Sequence, residues 1–208
     1  MYFLTLIGIS MILYFTSCKK GPEEKIELWN GKNLNGWVTY LKTDTIDADS
    51  VWKIENGVIH CSGNPFGYIR TEKIYNDYTL HVEWRWPKKP GNSGVFLHIQ
   101  EKDTIFPTCV EAQLMAGKAG DFVAMKGAKF NELSENSIVL KKKEPSSENE
   151  PGEWNEYDIA CSGDTIKLIV NDVFQNIVTG VNVTSGYIGL QSEGAPIEFR
   201  NIYLKPGE

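Results

Sequence analysis

The chain has few cysteines, few histidines and almost no amphipathic helical periodicity, and each absence excludes something. It contains four cysteines and three histidines in 208 residues. No CxxC pair or Cys/His spacing occurs, so nothing suggests zinc. There is no GxSxG elbow, Walker loop, GxGxxG fingerprint, HExxH or EF-hand pattern, so the chemistries built on those motifs lack support. Acidic loops leave a bound divalent cation open, but no ligand spacing demands one. The formal net charge is −6. Lys and Arg are dispersed, so no basic stripe could hold a phosphate backbone, and nucleic acid is excluded as the expected partner. The one basic run, Lys141-Lys142-Lys143, opens a Pro/Ser/Glu-rich loop and reads as solvated.

An apolar run, MYFLTLIGISMILYFTSC, opens the chain. It is short and ends abruptly for a membrane span, and it resembles a secretory signal. Thr16-Ser17-Cys18 resembles a bacterial lipobox, in which Cys18 becomes the lipidated first residue, although the usual positive n-region is missing. A plain hydrophobic anchor or an ordinary cleavable signal are the alternatives. On the lipobox reading, residues 1–18 are a signal peptide, 19–25 a polar tether and 26–208 one folded domain. The protein would then be an exported lipoprotein, periplasmic or at the cell surface. Cys61, Cys109 and Cys161 remain, an odd number that allows at most one internal disulfide, and buried free thiols are the expected state.

What the chain does contain is short runs of Val, Ile, Tyr, Trp and Phe punctuated by Gly, Asn and Asp, the mark of an all-β domain. Strands are expected near Ile26–Trp29, Trp52–Ile54, Val58–Cys61, Tyr68–Thr71, Tyr78–Trp86, Gly94–Gln100, Val110–Met115, Glu156–Cys161, Thr165–Val170, Phe174–Ile177, Tyr187–Gln191 and Ile197–Leu204. Glu55-Asn56-Gly57 and Ser162-Gly163-Asp164 supply the residues that tolerate tight hairpins. A dozen strands in about 180 residues fit a two-sheet jelly-roll sandwich better than a small barrel. Lys141 to Glu153 is the candidate mobile loop.

Period-two alternation places one set of side chains on each strand face. If the three strands between Tyr78 and Met115 are neighbours, one face collects Glu83, Arg85, Phe96, His98, Glu111 and Gln113. That mixture suits a sugar-binding cleft; a solvated face of salt bridges is the bland alternative. Glu83 beside Arg85 would stay ionised and bind or orient. Glu111, farther from positive charge, is the better general acid. His98 follows the Asn92-Ser93-Gly94 turn, whose amides would edge the cleft. Gln191, Glu193 and Arg200 add donors and acceptors for sugar hydroxyls. Trp154 could lay its indole on a pyranose ring or belong to the core.

Several segments together resemble the 3-keto-disaccharide hydrolase domain family: LWNGKNLNGW, VWKIENGVIHCSG, YIRTEKIYNDYTLHVEWRWPKKPGNSGVFLHI, CVEAQLMAGKAGDF, EWNEYDIACSGDTIKLIVND and GYIGLQSEGAPIEFRNIYLKP. The resemblance spans about Glu27 to Pro206. It implies a concanavalin A-like lectin/glucanase type of jelly roll. It also implies an exported enzyme acting on glycosides oxidised to a ketone at sugar carbon 3. Glu83 and Arg85 match the family's acidic-x-basic strand, Asn92 and Ser93 its NSG turn, and Glu111 and Gln113 its E-x-Q pair. Gln191 and Arg200 match its LQ and FRN positions. The chain departs at three places: His98 stands where many members have arginine, Leu114-Met115-Ala116 after Gln113 lacks the acidic residue often found there, and Glu193 replaces a common histidine.

Such a substrate would be open to cleavage by elimination and rehydration, a route that needs a base, an acid and an enolate stabiliser. On that route Glu111 is assigned as principal acid/base, with His98 or Glu193 as its alternate. Arg85, Arg200 or a divalent cation would stabilise the enolate. Glu83, Asn92, Ser93, Gln113, Trp154 and Gln191 would hold the sugar. An ordinary retaining or inverting glycosidase and a non-catalytic carbohydrate-binding module are the competing readings.

Overall fold

The computed structural model describes residues 25–206. The expected signal peptide, the Cys18 lipidation site and most of the tether lie outside them. Fifteen strands and one short helix follow in chain order: β1 (Ile26–Glu27), β2 (Trp37–Leu41), α1 (Ala48–Val51), β3 (Trp52–Glu55), β4 (Val58–Cys61), β5 (Gly67–Thr71), β6 (Tyr78–Arg85), β7 (Gly94–Ile99), β8 (Cys109–Gln113), β9 (Phe122–Met125), β10 (Val139–Leu140), β11 (Asn155–Ser162), β12 (Thr165–Val170), β13 (Val173–Val178), β14 (Tyr187–Ser192) and β15 (Ile197–Pro206).

The strands form two antiparallel sheets. One runs β13-β12-β11-β6-β15-β4-β3, with β1 also pairing β15; the other runs β10-β9-β8-β7-β14-β5-β2. Leu80, Val82 and Trp84 of β6 join Val95 and Leu97 of β7 and Val110 and Ala112 of β8 in one fully buried core between the sheets. The turn at Asn56 (φ 51°) and Gly57 (φ 72°) joins β3 to β4 in the left-handed conformation those residues tolerate.

The all-β jelly roll and the twelve expected strands are present. The strands not foreseen are β2, β9 and β10. All four residues of β9 are buried, so it lacks the apolar–polar alternation that marks a strand, and β10 is only two residues long. The 141–153 segment is irregular, as expected, but it is pinned. Ser147 Oγ donates to the Val170 carbonyl (2.8 Å), and Asn149 N–H to Asn155 Oδ1 (2.7 Å). The Glu148 carboxylate accepts from Gly117 and Ala119 N–H. Within the basic run, Lys142 is tied to the backbone carbonyls of Gly117 and Ala119. Cys61, Cys109 and Cys161 are free and buried.

The seven-stranded sheet has a second, smaller cluster on its outer face. On β7, β8 and β9 the residues alternating with the core set are Phe96, Cys109, Val123 and Met125, and they pack with Tyr68 and Ile99. Side chains between them on this face are therefore cut off from water, which sets the conditions for the site.

Candidate active site

The expected polar face is divided by the fold. β6 lies in the eight-stranded sheet, while β7 and β8 lie in the other. Each sends its alternating apolar residues into the shared core, so Glu83 and Arg85 point away from one side of the sandwich and Glu111 and Gln113 from the other. The grouping of Glu83, Arg85, Trp154 and Arg200 with Glu111 is thus corrected. The strands adjacent in sequence are not adjacent in the sheets.

Those four residues form a cluster of their own. Arg200 Nε donates to Glu83 Oε2 (2.6 Å). A bulge in β15 puts Asn201 at φ 50° and turns its amide onto Glu83 as well. Arg85 Nε donates to Glu198 Oε2 (2.5 Å), and His60 Nδ1 lies 2.9 Å from Glu198 Oε1. The Trp154 ring is covered by both guanidinium groups, Arg85 at 4.5 Å and Arg200 at 4.0 Å. Trp154 therefore presents its π surface to arginine, and both cations are neutralised by carboxylates.

A cleft of about 410 Å³ opens on the outer face of the seven-stranded sheet, within the range for a small ligand. Glu111, Gln113, Asn92, Gln191 and Glu193 line it. Register explains the convergence. Glu111 on β8 stands between Phe96 on β7 and Val123 on β9. The Asn92 turn bridges to Glu193 and Gly194 beyond β14. Ser93 does not line the cleft. It is fully buried, and its hydroxyl donates to the Gln191 carbonyl (2.8 Å), bracing the two loops together.

Asn92 Nδ2 donates to Glu193 Oε2 (2.6 Å). Gln113 Oε1 accepts from the N–H groups of Leu114 (2.9 Å) and Met115 (2.7 Å), which orients its carboxamide. Three buried acceptors in the cleft have no donor: Glu111 Oε1, Asn92 Oδ1 and Gln191 Oε1. A buried acceptor without a donor is costly, so a ligand bearing hydroxyl donors fits this gap. The same oxygens, with Glu193, are the donors a hard cation could use. Among the described residues no three His, Cys, Asp or Glu side chains gather around one point.

Burial dominates the electrostatics. Glu111 is pushed up to about 8, first by removal from water among apolar neighbours and then by the Glu193 charge. Glu193 is also raised by burial, opposed by hydrogen bonds from Gln191 and Asn92. Two carboxyls in one cleft therefore differ: one keeps its proton near neutrality, and the other has donors that stabilise its charge.

His98 is not among the cleft residues, which corrects its candidacy as acid/base. It adopts φ 57° at an irregularity where β7 pairs with β14. That conformation breaks the alternation, so its ring packs edge-on against core Tyr78 (centroids 5.7 Å apart). Its Nδ1 bonds the Val183 carbonyl at 2.9 Å, and burial lowers its pKa.

The sequence reading missed the opposite wall of the cleft, formed by Phe106, Val123, Met125, Ile138 and Val139 with Lys126 beside them. Phe106, an aromatic in a polar loop, was the available signal. Also missed was the clamp that holds this loop. Asp103 takes Arg70 Nε (2.8 Å) and Nη2 (2.9 Å), together with the Tyr68 hydroxyl (2.8 Å). The guanidinium holds the Asp103 carboxyl below its ordinary range.

Solved structures place the fold in a class. A Parabacteroides distasonis protein provisionally assigned as a glycosyl hydrolase superposes with a TM-score of 0.67 at 22% identity, over 88% of this chain and 94% of its own. A carbohydrate binding module from Bacillus subtilis gives 0.55 at 15% identity (82% and 95% covered), and the Bacillus licheniformis beta-glucanase 0.55 at 12% (91% and 100%). The class is the jelly-roll sandwich shared by glycoside-processing and carbohydrate-binding proteins. None of the curated proteins matches the chain. The chain belongs to the family of 3-keto-alpha-glucoside-1,2-lyase-like domains, whose profile matches residues 24–205.

Proposed function

We propose that the protein cleaves glycosides bearing a ketone at sugar carbon 3, by elimination followed by hydration. The observation that carries this reading is the pair of unlike carboxyls, Glu111 and Glu193, in a cleft with three unsatisfied acceptors. Family membership supports the choice of substrate class.

A carbon-3 ketone acidifies the proton on carbon 2. Glu193, its charge supported by Asn92, takes that proton, and the electron pair moves onto the carbon-3 oxygen as an enolate. The Gln113 carboxamide has its oxygen committed to backbone N–H groups, so its N–H groups are the ones available to the enolate oxygen. The electron pair then returns: carbon 3 regains its carbonyl, a double bond forms between carbons 1 and 2, and the carbon–oxygen bond to the aglycone breaks. Glu111 gives its proton to the leaving oxygen. Water next adds across the double bond, hydroxyl to carbon 1 and proton to carbon 2, so the sum is hydrolysis. Arg85 and Arg200 take no part, being engaged on the other sheet.

The test compares aglycone release from a 3-keto-glucoside and from its unoxidised parent. Release from the keto compound alone is expected, and Glu111→Gln should remove it while binding persists. Release from the parent alone would mean an ordinary glycosidase using the same two carboxyls. Binding without release from either would mean a lectin-like module. The exported-lipoprotein reading is part of this proposal and rests on residues 1–18. Cys18→Ala should free the protein from the membrane fraction of the producing cell.

A further inference from the structure

We infer that the cleft is divided into a sugar half and an apolar aglycone half, and that the preferred substrate carries an apolar, flat aglycone rather than a second sugar. The inference rests on the proposed glycoside cleavage and deepens it.

Sheet order carries the argument. Glu111 is on β8. Toward β7 and β14 the cleft is polar, with Asn92, Gln191 and Glu193. Toward β9 and β10 it is walled by Val123, Met125, Ile138 and Val139, and Phe106 lies on the same wall. Glu111 stands at the border, where a proton donor to the leaving oxygen must stand. The sugar's hydroxyl donors then meet the unpartnered acceptors of Asn92 and Gln191, and the aglycone falls on the apolar side.

A second sugar there would find few hydrogen-bond partners on the wall and would shield little apolar surface, whereas a flat apolar ring covers Val123, Met125, Ile138 and Val139. Lys126 is the one charged side chain on that wall, and its ammonium lies 3.4 Å from Thr104 Oγ1. Apolar exposure also marks this wall. Phe106 is 48% exposed, Ile138 62% and Val139 40%. Phe106 is held in place because its loop is anchored by Asp103 on Arg70, and at its end Thr108 Oγ1 donates to the Lys126 carbonyl (2.7 Å). The wall is therefore positioned in advance of binding.

The test is an equilibrium binding comparison of phenyl and methyl glucosides, both anomers of each, on the intact protein. Phenyl glucoside should bind at least about tenfold tighter, and Val139→Asp or Ile138→Asp, both at exposed positions that tolerate the change, should erase the difference. Equal affinities, or no binding of either compound, would overturn the inference. So would loss of self-association in Val139→Asp with the phenyl preference unchanged, since a second copy of the chain would then be the wall's occupant. These measurements need no turnover. A protein that prefers phenyl glucoside but releases nothing from either a phenyl 3-keto-glucoside or a 3-keto-disaccharide sinks the cleavage proposal and leaves the subsite standing. A protein that cleaves both equally well and binds both parents equally does the reverse.

Discussion

The Glu111 carboxyl lies over Gly94 on the adjacent strand, in the space that a Cβ at that position would fill. The glycine that ends the Asn92-Ser93-Gly94 turn is thereby part of the site: its missing side chain lets the carboxyl fold down among Phe96 and Val123 and lose its water.

Gly94→Ala should displace that carboxyl. The backbone there is ordinary strand, so the protein should still fold, while kcat falls by about 100-fold through misplacement of the proposed proton donor. Kinetics with a 3-keto-glucoside check this. Unchanged kcat would mean that the seat of Glu111 over Gly94 is irrelevant to turnover.

The two carboxyls should give kcat/KM a bell-shaped dependence on pH, reporting the pair rather than either group alone. The rising limb belongs to loss of the Glu193 proton, above the ordinary carboxyl range because burial raises it. The falling limb belongs to Glu111 and lies near pH 8. Glu111→Gln should remove the falling limb from whatever activity remains, and a limb that persists would belong to another group.

Burial of Glu111 also links stability to pH. Its folded value of about 8 exceeds the ordinary 4.5, so between those values the folded form holds a proton that the unfolded chain has released. Stability therefore falls as pH rises through that window, by about 1.4 kcal/mol per unit. Glu111→Gln removes this penalty and should be the more stable protein at pH 7 by on the order of 3 kcal/mol, with little difference at pH 4. Denaturant titrations at the two pH values measure it. A gain independent of pH would assign it to some cause other than the carboxyl.

The cluster on the eight-stranded sheet should matter for stability alone. Glu83→Ala leaves Arg200 and Asn201 without their shared acceptor. Arg200 is 37% exposed, so water recovers part of the loss, and about 2 kcal/mol is expected. Turnover of a 3-keto-glucoside should be unchanged. A fall in kcat/KM in the folded variant would return this cluster to the active site.

Much of the site was legible in the sequence, because its signals are local. The Glu111-x-Gln113 spacing puts both side chains on one strand face whatever that strand pairs with. The Asn92-Ser93-Gly94 turn announces a tight approach. Gln191 and Glu193 follow the same logic at the end of β14. His98 shows where local logic stops. Its positive φ flips it out of the alternation that Val95, Phe96 and Leu97 obey, and no neighbour in sequence records that.

By itself the sequence determined an all-β chain, where most of its strands lie, which residues share a strand face, and its family. Tertiary structure decided which strands lie side by side. Alternation of period two says which side chains share a face of a strand, but it does not say which of two sheets the strand enters, since both sheets bury one face in the same core. β6 pairs with β11 and β15, far along the chain, while β7 and β8 pair with each other in the opposite sheet. That long-range pairing sent Glu83 and Arg85 to one side of the sandwich and Glu111 to the other. It also set an unforeseen strand, β9, beside Glu111 and made one wall of the cleft apolar.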